Sequence, residues 1–188
     1  RRWARVWGGL MWWRFDRWSG RSVKGINLLK AIYHCHGASI PGAFGLVKRP
    51  IQYCDMVTQK LKRKSEKTKN EMMREMIETC LRNGLKFRFC LMDSWFASEE
   101  NFCFITERGR HFIAALKGNR LVALSEKDRK EKRFVRVDVL DFPEQTAVQG
   151  WLKEYAIAFR LVRRVCKNKD GRRGVLHLVY SDLTCDHD

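Results

Sequence analysis

One carboxylate in this chain stands where a polypeptide tends to keep its working groups. Phe87, Phe89 and Leu91 alternate with Arg88, Cys90 and Met92, the period-2 pattern of a strand. Asp93 sits where that strand ends, followed by the short aromatic turn Ser94-Trp95-Phe96-Ala97. Ser98 then caps a helix whose first turn holds Glu99 and Glu100, where negative charge suits the helix dipole. In open α/β sheets functional groups collect outside the carboxyl ends of strands. The plainer alternative is a turn aspartate that hydrogen-bonds its own backbone.

A second group of residues carries charge rather than chemistry. Lys60-Leu61-Lys62-Arg63-Lys64-Ser65-Glu66-Lys67-Thr68-Lys69 is the densest basic stretch. It reads either as a solvated loop or as a set of phosphate contacts, which add affinity and salt dependence without sequence readout. A nuclear-localisation reading ranks below the phosphate one. The whole chain has a formal net charge of +17, unevenly spread. Residues 1–70 hold 16 Lys and Arg against 3 acids, a net of +13, whereas residues 71–188 hold 22 against 18, a net of +4. So positive a first part points to a polyanionic partner, most plausibly nucleic acid, although a basic face can also serve solubility alone.

The elements that position these groups follow from pattern. A chain of 188 residues is long enough for one domain with a proper core, and 45% hydrophobic with 31% charged residues reads as globular rather than disordered. The seven cysteines are odd in number and form no C-x-x-C pair, which favours reduced thiols over a disulfide framework. His34-Cys35-His36 offers metal ligands, but neighbours on a strand point to opposite faces and nothing nearby completes a tetrahedral zinc site. No apolar run approaches membrane-spanning length. Arg is the first residue, and Trp3, Trp7, Trp12, Trp13 and Trp18 crowd the start. Trp7–Trp13 could pass for a short signal core, but no small-residue cleavage site follows. Residues 1–13 read as irregular, in keeping with a fragment or a reading frame without its natural start.

From Arg14 the chain is more orderly. Trp18-Ser19-Gly20-Arg21 reads as a turn and Val23–His34 as a strand, although Leu28-Leu29-Lys30-Ala31 would also suit a helix; Ile40–Val47 reads as a second strand, antiparallel to the first, with Pro41 and two glycines marking an edge or bulge. Thr68-Lys69-Asn70-Glu71 is a capping box, followed by an apolar stripe of Met72, Met73, Met76, Ile77, Cys80 and Leu81 that Asn83-Gly84 stops. The Asp93 strand, a helix from about Glu99 to Arg108 and the run His111–Leu116 imply a parallel pair with a right-handed crossover. Leu121–Leu124, Phe134–Val139, Phe159–Cys166 and Val175–Tyr180 read as strands, Asn168-Lys169-Asp170-Gly171 as a hairpin turn and Ser125–Lys132 as a charged loop. Residues 118–182 are thus expected to form a mostly antiparallel β section attached to an α/β part.

Four ordered blocks then converge on a family. Val23-Lys24-Gly25-Ile26-Asn27-Leu28-Leu29, Lys62-Arg63-Lys64-Ser65 with Thr68-Lys69-Asn70-Glu71, Leu91-Met92-Asp93-Ser94-Trp95-Phe96, and His111-Phe112-Ile113-Ala114-Ala115-Leu116-Lys117 together resemble bacterial DDE transposases of the IS-four insertion-sequence family. The likeness runs from about Arg14 to Asp188. It implies an RNase H-like mixed α/β sheet, incomplete at both ends, with residues 14–117 as a partial catalytic core. Residues 118–188 would be a β-rich insertion leading to a final catalytic helix. Such enzymes use three acidic residues to hold two divalent ions, Mg²⁺ or Mn²⁺, which activate water or a 3′-hydroxyl against a DNA phosphodiester. The resemblance implies double-stranded DNA as partner, a homodimer when intact, and a bacterial cytoplasmic, nucleoid-associated location.

By its strand-end context, Asp93 matches the family's second catalytic aspartate and a metal ligand. Trp95 would sit beside it, where an aromatic could stack on a displaced base, and Lys24, Lys62, Arg63, Lys64, Lys67 and Lys69 would contact DNA. Two departures stand out. The first aspartate, usually in an Asp-Asp-Thr context, has no counterpart here, and Asp16 does not fill its role. The third residue, a glutamate in a Tyr…Arg…Glu…Lys helix, should follow Asp186, where the chain stops at Asp188. One catalytic carboxylate of three is therefore expected, in a polypeptide inactive by itself. A DNA-binding remnant without chemistry is the alternative.

Overall fold

A computed structural model describes residues 10–16, 19–167, 171 and 173–184. The chain divides into two compact units, one ending at Lys86 and one beginning at Phe87. The first is made of hairpins and one helix. β1 (Met11–Asp16) pairs antiparallel with β2 (Arg21–Ile26), β3 (Leu28–Cys35) with β4 (Ala38–Leu46), and β5 (Ile51–Asp55) with β6 (Lys60–Lys64), each pair being a sheet of its own. Several expectations are corrected here. Met11–Trp13, expected to be irregular, are held as strand by their register with Ile26, Gly25 and Lys24. The single strand expected over Val23–His34 is broken at Asn27, which is buried and whose carbonyl accepts the Val47 amide at 2.9 Å. The basic stretch, expected as a loop, is strand at Lys60–Lys64; it is exposed at every position, so no apolar alternation betrays it.

The helix α1 (Lys69–Arg82) begins as its sequence requires. Thr68 Oγ1 accepts the Glu71 amide at 3.2 Å, and the Glu71 carboxylate accepts the Thr68 amide at 2.5 Å, so two orphan donors of the first turn are satisfied reciprocally. Met73, Met76, Ile77 and Cys80 are buried against the β3–β4 hairpin. The approach is close because β4 offers glycines there. A Cβ on Gly42 would lie 2.9 Å from Cys80 Sγ and 3.1 Å from Leu85 Cδ1. The bulge expected near Pro41 is present, the register shifting between Ala31 and Ile32 opposite it.

The second unit is one mixed sheet of seven strands, in the order β10-β9-β11-β12-β13-β8-β7. β7 (Phe89–Met92), α2 (Glu99–Glu107) and β8 (His111–Leu116) form the expected strand–helix–strand crossover, with β7 and β8 parallel. β9 (Leu121–Ala123), α3 (Glu126–Lys130), β10 (Val135–Arg136), β11 (Ala147–Leu152), β12 (Phe159–Lys167) and β13 (Arg173–Tyr180) follow. The β section is not an appendage to the α/β part: β13 pairs antiparallel with β8, Tyr180 opposite Ile113 and His177 opposite Leu116. A boundary at 117/118 would cut through this sheet. β11 escapes the sequence because Gln149-Gly150 interrupts its alternation; the glycine is needed, since its Cβ would lie 3.2 Å from the Ala123 carbonyl and 3.4 Å from the Phe159 ring. Ser125–Lys132, expected as a loop, holds a short helix capped by Ser125, whose Oγ accepts the Asp128 amide at 3.0 Å. The expected turn at Asn168–Asp170 lies outside the described residues, while Gly171 has φ +79° and β12 meets β13 at Lys167 and Arg173.

β8 presents Phe112, Ala114 and Leu116 to the core and leaves His111, Ile113 and Ala115 half-buried. Phe112 stacks on Phe102 of α2 at 4.0 Å between ring centroids, with Tyr155 edge-on to both. In the first unit, Gly42→Ala should cost about 1–3 kcal/mol, because neither Cys80 nor Leu85 lies at the end of a long flexible side chain that can retreat. Gly25→Ala, with nothing within 4 Å of its Cβ, should stay within about 0.5 kcal/mol of the parent in thermal unfolding.

Candidate functional site

Asp93 leaves β7 at its carboxyl end, exposed to solvent. Its Oδ1 accepts the Trp95 amide at 2.8 Å, and its carbonyl accepts the Phe96 amide at 3.1 Å. These are the bonds of an aspartate-initiated turn. The turn is fixed from beneath by a residue that sequence reasoning passed over. Asn101, on α2, is fully buried, and its Nδ2 donates to the Phe96 carbonyl at 2.8 Å. That same carbonyl accepts the Ser98 amide at 2.9 Å. Ser98 caps α2 as expected, and the Arg120 guanidinium donates to the carbonyl of buried Ala97. A buried amide followed by apolar residues in a helix gives little warning of such a role. Arg120 contacts the turn from beyond β8, so no local pattern reports it.

Trp95 is 62% exposed, and the Lys117 ammonium lies 5.3 Å from its ring centroid. The turn thus presents a carboxylate and an aromatic face, with the Lys117 cation beside the ring, an arrangement suited to a planar ligand.

The most tightly knit polar group of this unit lies at the opposite end of the same strands. Asp182 follows β13 and is 2% exposed. It accepts the Thr184 hydroxyl at 2.7 Å and the Thr184 amide at 3.1 Å, forms an ion pair with Arg88, and lies 3.9 Å from His111 Nε2. The Thr184 hydroxyl, ahead of the amide, His111 and Arg88, holds the Asp182 carboxyl below the usual aspartate range. Ser181 Oγ accepts the Phe112 amide at 3.0 Å and lies 3.3 Å from His111 Nδ1. The cluster ties the beginnings of β7 and β8 to the end of β13, a structural task.

The basic residues belong to the first unit. Lys24 is exposed on β2 opposite Trp13. Lys62, Arg63 and Lys64 are adjacent on β6, but not equally available. Lys62 Nζ is 2.5 Å from Asp55 Oδ2, and this bond, followed by those from the Thr58 amide and hydroxyl, holds the Asp55 carboxyl down to about 2, whereas Lys64 lies over the Tyr53 ring at 5.8 Å. Lys67 is paired with Glu75 at 2.5 Å, which raises its pKa. Lys69 opens α1.

As to metals, no three His, Cys, Asp or Glu side chains converge among the described residues. Asp93, with one oxygen engaged by Trp95, is not joined by two further ligands among the described residues, which do not fit a divalent ion pair. Cys35 Sγ and His36 Nδ1 do approach to 2.9 Å, contrary to the opposite faces expected, because His36 turns with φ +50°. They too lack a third partner of ligand type among the described residues. The six described cysteines are all thiols. No helix among the described residues is long and apolar enough to cross a membrane. No family model, curated protein or solved structure matches the chain.

Two measurements follow from this geometry. Asn101→Ala should destabilise by about 1–3 kcal/mol and speed amide exchange at Phe96 and Ser98 above that of the β8 core, seen by hydrogen exchange. Because the Asp182 pKa is depressed in the folded protein, its stabilisation is present above the ordinary value of 3.8 and is lost as pH falls through the lower folded value. Unfolding titrations from pH 6 downward should therefore show a weaker acid dependence in Asp182→Asn than in the parent.

Proposed function

We propose that this chain acts on duplex DNA as part of a DDE transposase, and that its own contribution is to bind DNA rather than to cleave it. The observation that carries this reading is the charge of the first unit, with 16 Lys and Arg against 3 acids over residues 1–70 and a β6 strand exposed along its whole length. Phosphate neutralisation by such a surface releases counterions and supplies affinity without sequence readout.

The transposase part of the proposal rests on the four sequence blocks and on where Asp93 stands. A parallel β7–β8 pair with a crossover helix and a carboxylate at the strand end is compatible with an RNase H-like core. In that reading Asp93 is one metal ligand of several, Mg²⁺ or Mn²⁺ is the ion of the intact enzyme, and two copies act together on DNA ends. Trp95 is the aromatic that would meet a base beside it. The residues around Asp93 do not make a complete ion site, so no catalytic step is assigned to them alone, and the chain by itself is expected to be inactive. A bacterial, nucleoid-associated location goes with this assignment.

The test is binding of the purified chain to a labelled 30-base-pair duplex over a salt series. Six to ten phosphate contacts should weaken the affinity about 10³- to 10⁵-fold between 50 and 200 mM salt. Asp93→Ala should leave that binding unchanged. No binding at 50 mM salt would end the DNA reading. Mg²⁺-dependent nicking that Asp93→Ala abolishes would overturn the expectation of inactivity instead.

A further inference from the structure

The β5–β6 hairpin has a feature that phosphate contacts alone do not explain. Its turn ends in two adjacent apolar side chains, Met56 and Val57, which are 87% and 94% exposed. They are held out rather than left loose. Asp55 Oδ1 accepts the Thr58 amide and the Thr58 hydroxyl, both at 2.8 Å, and the Asp55 carbonyl accepts the Gln59 amide at 2.7 Å. Asp55 Oδ2 takes Lys62 at 2.5 Å, which ties the turn to the second strand. A carboxylate so used adds little negative potential to the tip.

Behind the tip the ribbon is cationic. Residues 51–64 hold four Lys and Arg against the one acid, Asp55. Cross-strand register puts Lys60, Lys62 and Lys64 on the face of Tyr53, and Arg63 on the other face with Gln52. Lys60 and Lys64, four residues apart on one strand, are separated by roughly 13 Å. Three cations thus run along one face for the length of the strand and Arg63 stands on the other beside exposed Leu61, while the most exposed apolar side chains, Met56 and Val57, sit together at the tip.

We propose that β5–β6 is a DNA-deforming ribbon: Lys60, Arg63 and Lys64 hold phosphates along a groove, and Met56 and Val57 wedge between base steps at its end. This rests on the DNA reading given above. A two-stranded ribbon fits a DNA groove, and apolar wedges unstack base steps and kink the duplex by about 20–90°. An anionic lipid surface would meet the same charge. However, even one myristoyl chain gives only marginal membrane binding, and two short side chains bury far less.

The experiment uses the full chain and a 30-base-pair duplex labelled at both ends for energy transfer, with 2-aminopurine reporting unstacking. The parent should shorten the end-to-end distance and brighten 2-aminopurine. M56S/V57S removes no buried contact, so it should bind within about threefold of the parent while losing both signals. K60Q/R63Q/K64Q should weaken binding and lower the salt slope by about 3. Circular dichroism matching the parent checks that both variants are folded. Duplex binding without bending, or bending retained by M56S/V57S, overturns the wedge and leaves DNA binding standing. An unchanged salt slope in K60Q/R63Q/K64Q removes the hairpin from the interface. No binding by the parent defeats both readings, and binding only to phosphatidylserine vesicles assigns the tip to a membrane.

Discussion

The second unit depends on β8 being paired along both edges and covered on one face. β7 lies parallel to it on one side and β13 antiparallel on the other, joining residues near position 113 to residues near position 180. Buried backbone donors and acceptors must find partners, and a central strand meets that demand along its whole length. α2 then seals one face through Phe102 on Phe112 and Ile105, all essentially without solvent exposure. The turn that carries Asp93 is suspended between two of these anchored parts, the end of β7 and the start of α2. Its precision is borrowed from them.

That dependence gives an exposed loop fixed hydrogen-bond partners. A surface aspartate with only its own turn would sample several conformations. Here the Phe96 carbonyl is held twice, by the Ser98 amide and by Asn101 Nδ2, and the Ala97 carbonyl by Arg120. An unsatisfied buried amide at Asn101 would cost about 1–3 kcal/mol, so the side chain has a strong reason to stay where it is. The carboxylate is thereby presented at a fixed place.

Legibility in the sequence followed the range of the interactions. The capping box at Thr68 and Glu71, the Ser98 cap and the β7–α2–β8 crossover were readable because each is written within a few residues. The pairing of β13 with β8 was not, since nothing local to Val175–Tyr180 says which edge it will complete. β5 and β6 were hidden for the opposite reason. They bury no face, so they lack the alternation that marks a strand, and their turn uses Gln59 at φ +52° in place of glycine or asparagine. The placement of Asp93 at the end of a strand was readable from pattern, but Asn101, which holds its turn, sits inside a helix pattern where a buried polar residue looks like an accident.

The first unit obeys a different balance. A two-stranded hairpin is marginal in water unless something packs on it. β3–β4 meets that condition through α1, and its glycines let the helix come close. β5–β6 is a sheet of its own with nearly every residue exposed, its backbone ladder supplemented by the bonds of Asp55 to Thr58 and Lys62. Like charges at Lys60, Lys62, Arg63 and Lys64 oppose its folding at low salt, and only one of them has a carboxylate partner within the hairpin. A polyanion laid along the strand would relieve that repulsion and bind the paired form better than the unpaired one. By mass action such a ligand stabilises the ribbon. The weakness of the hairpin in isolation and the DNA binding proposed for it would then be two consequences of one distribution of charge.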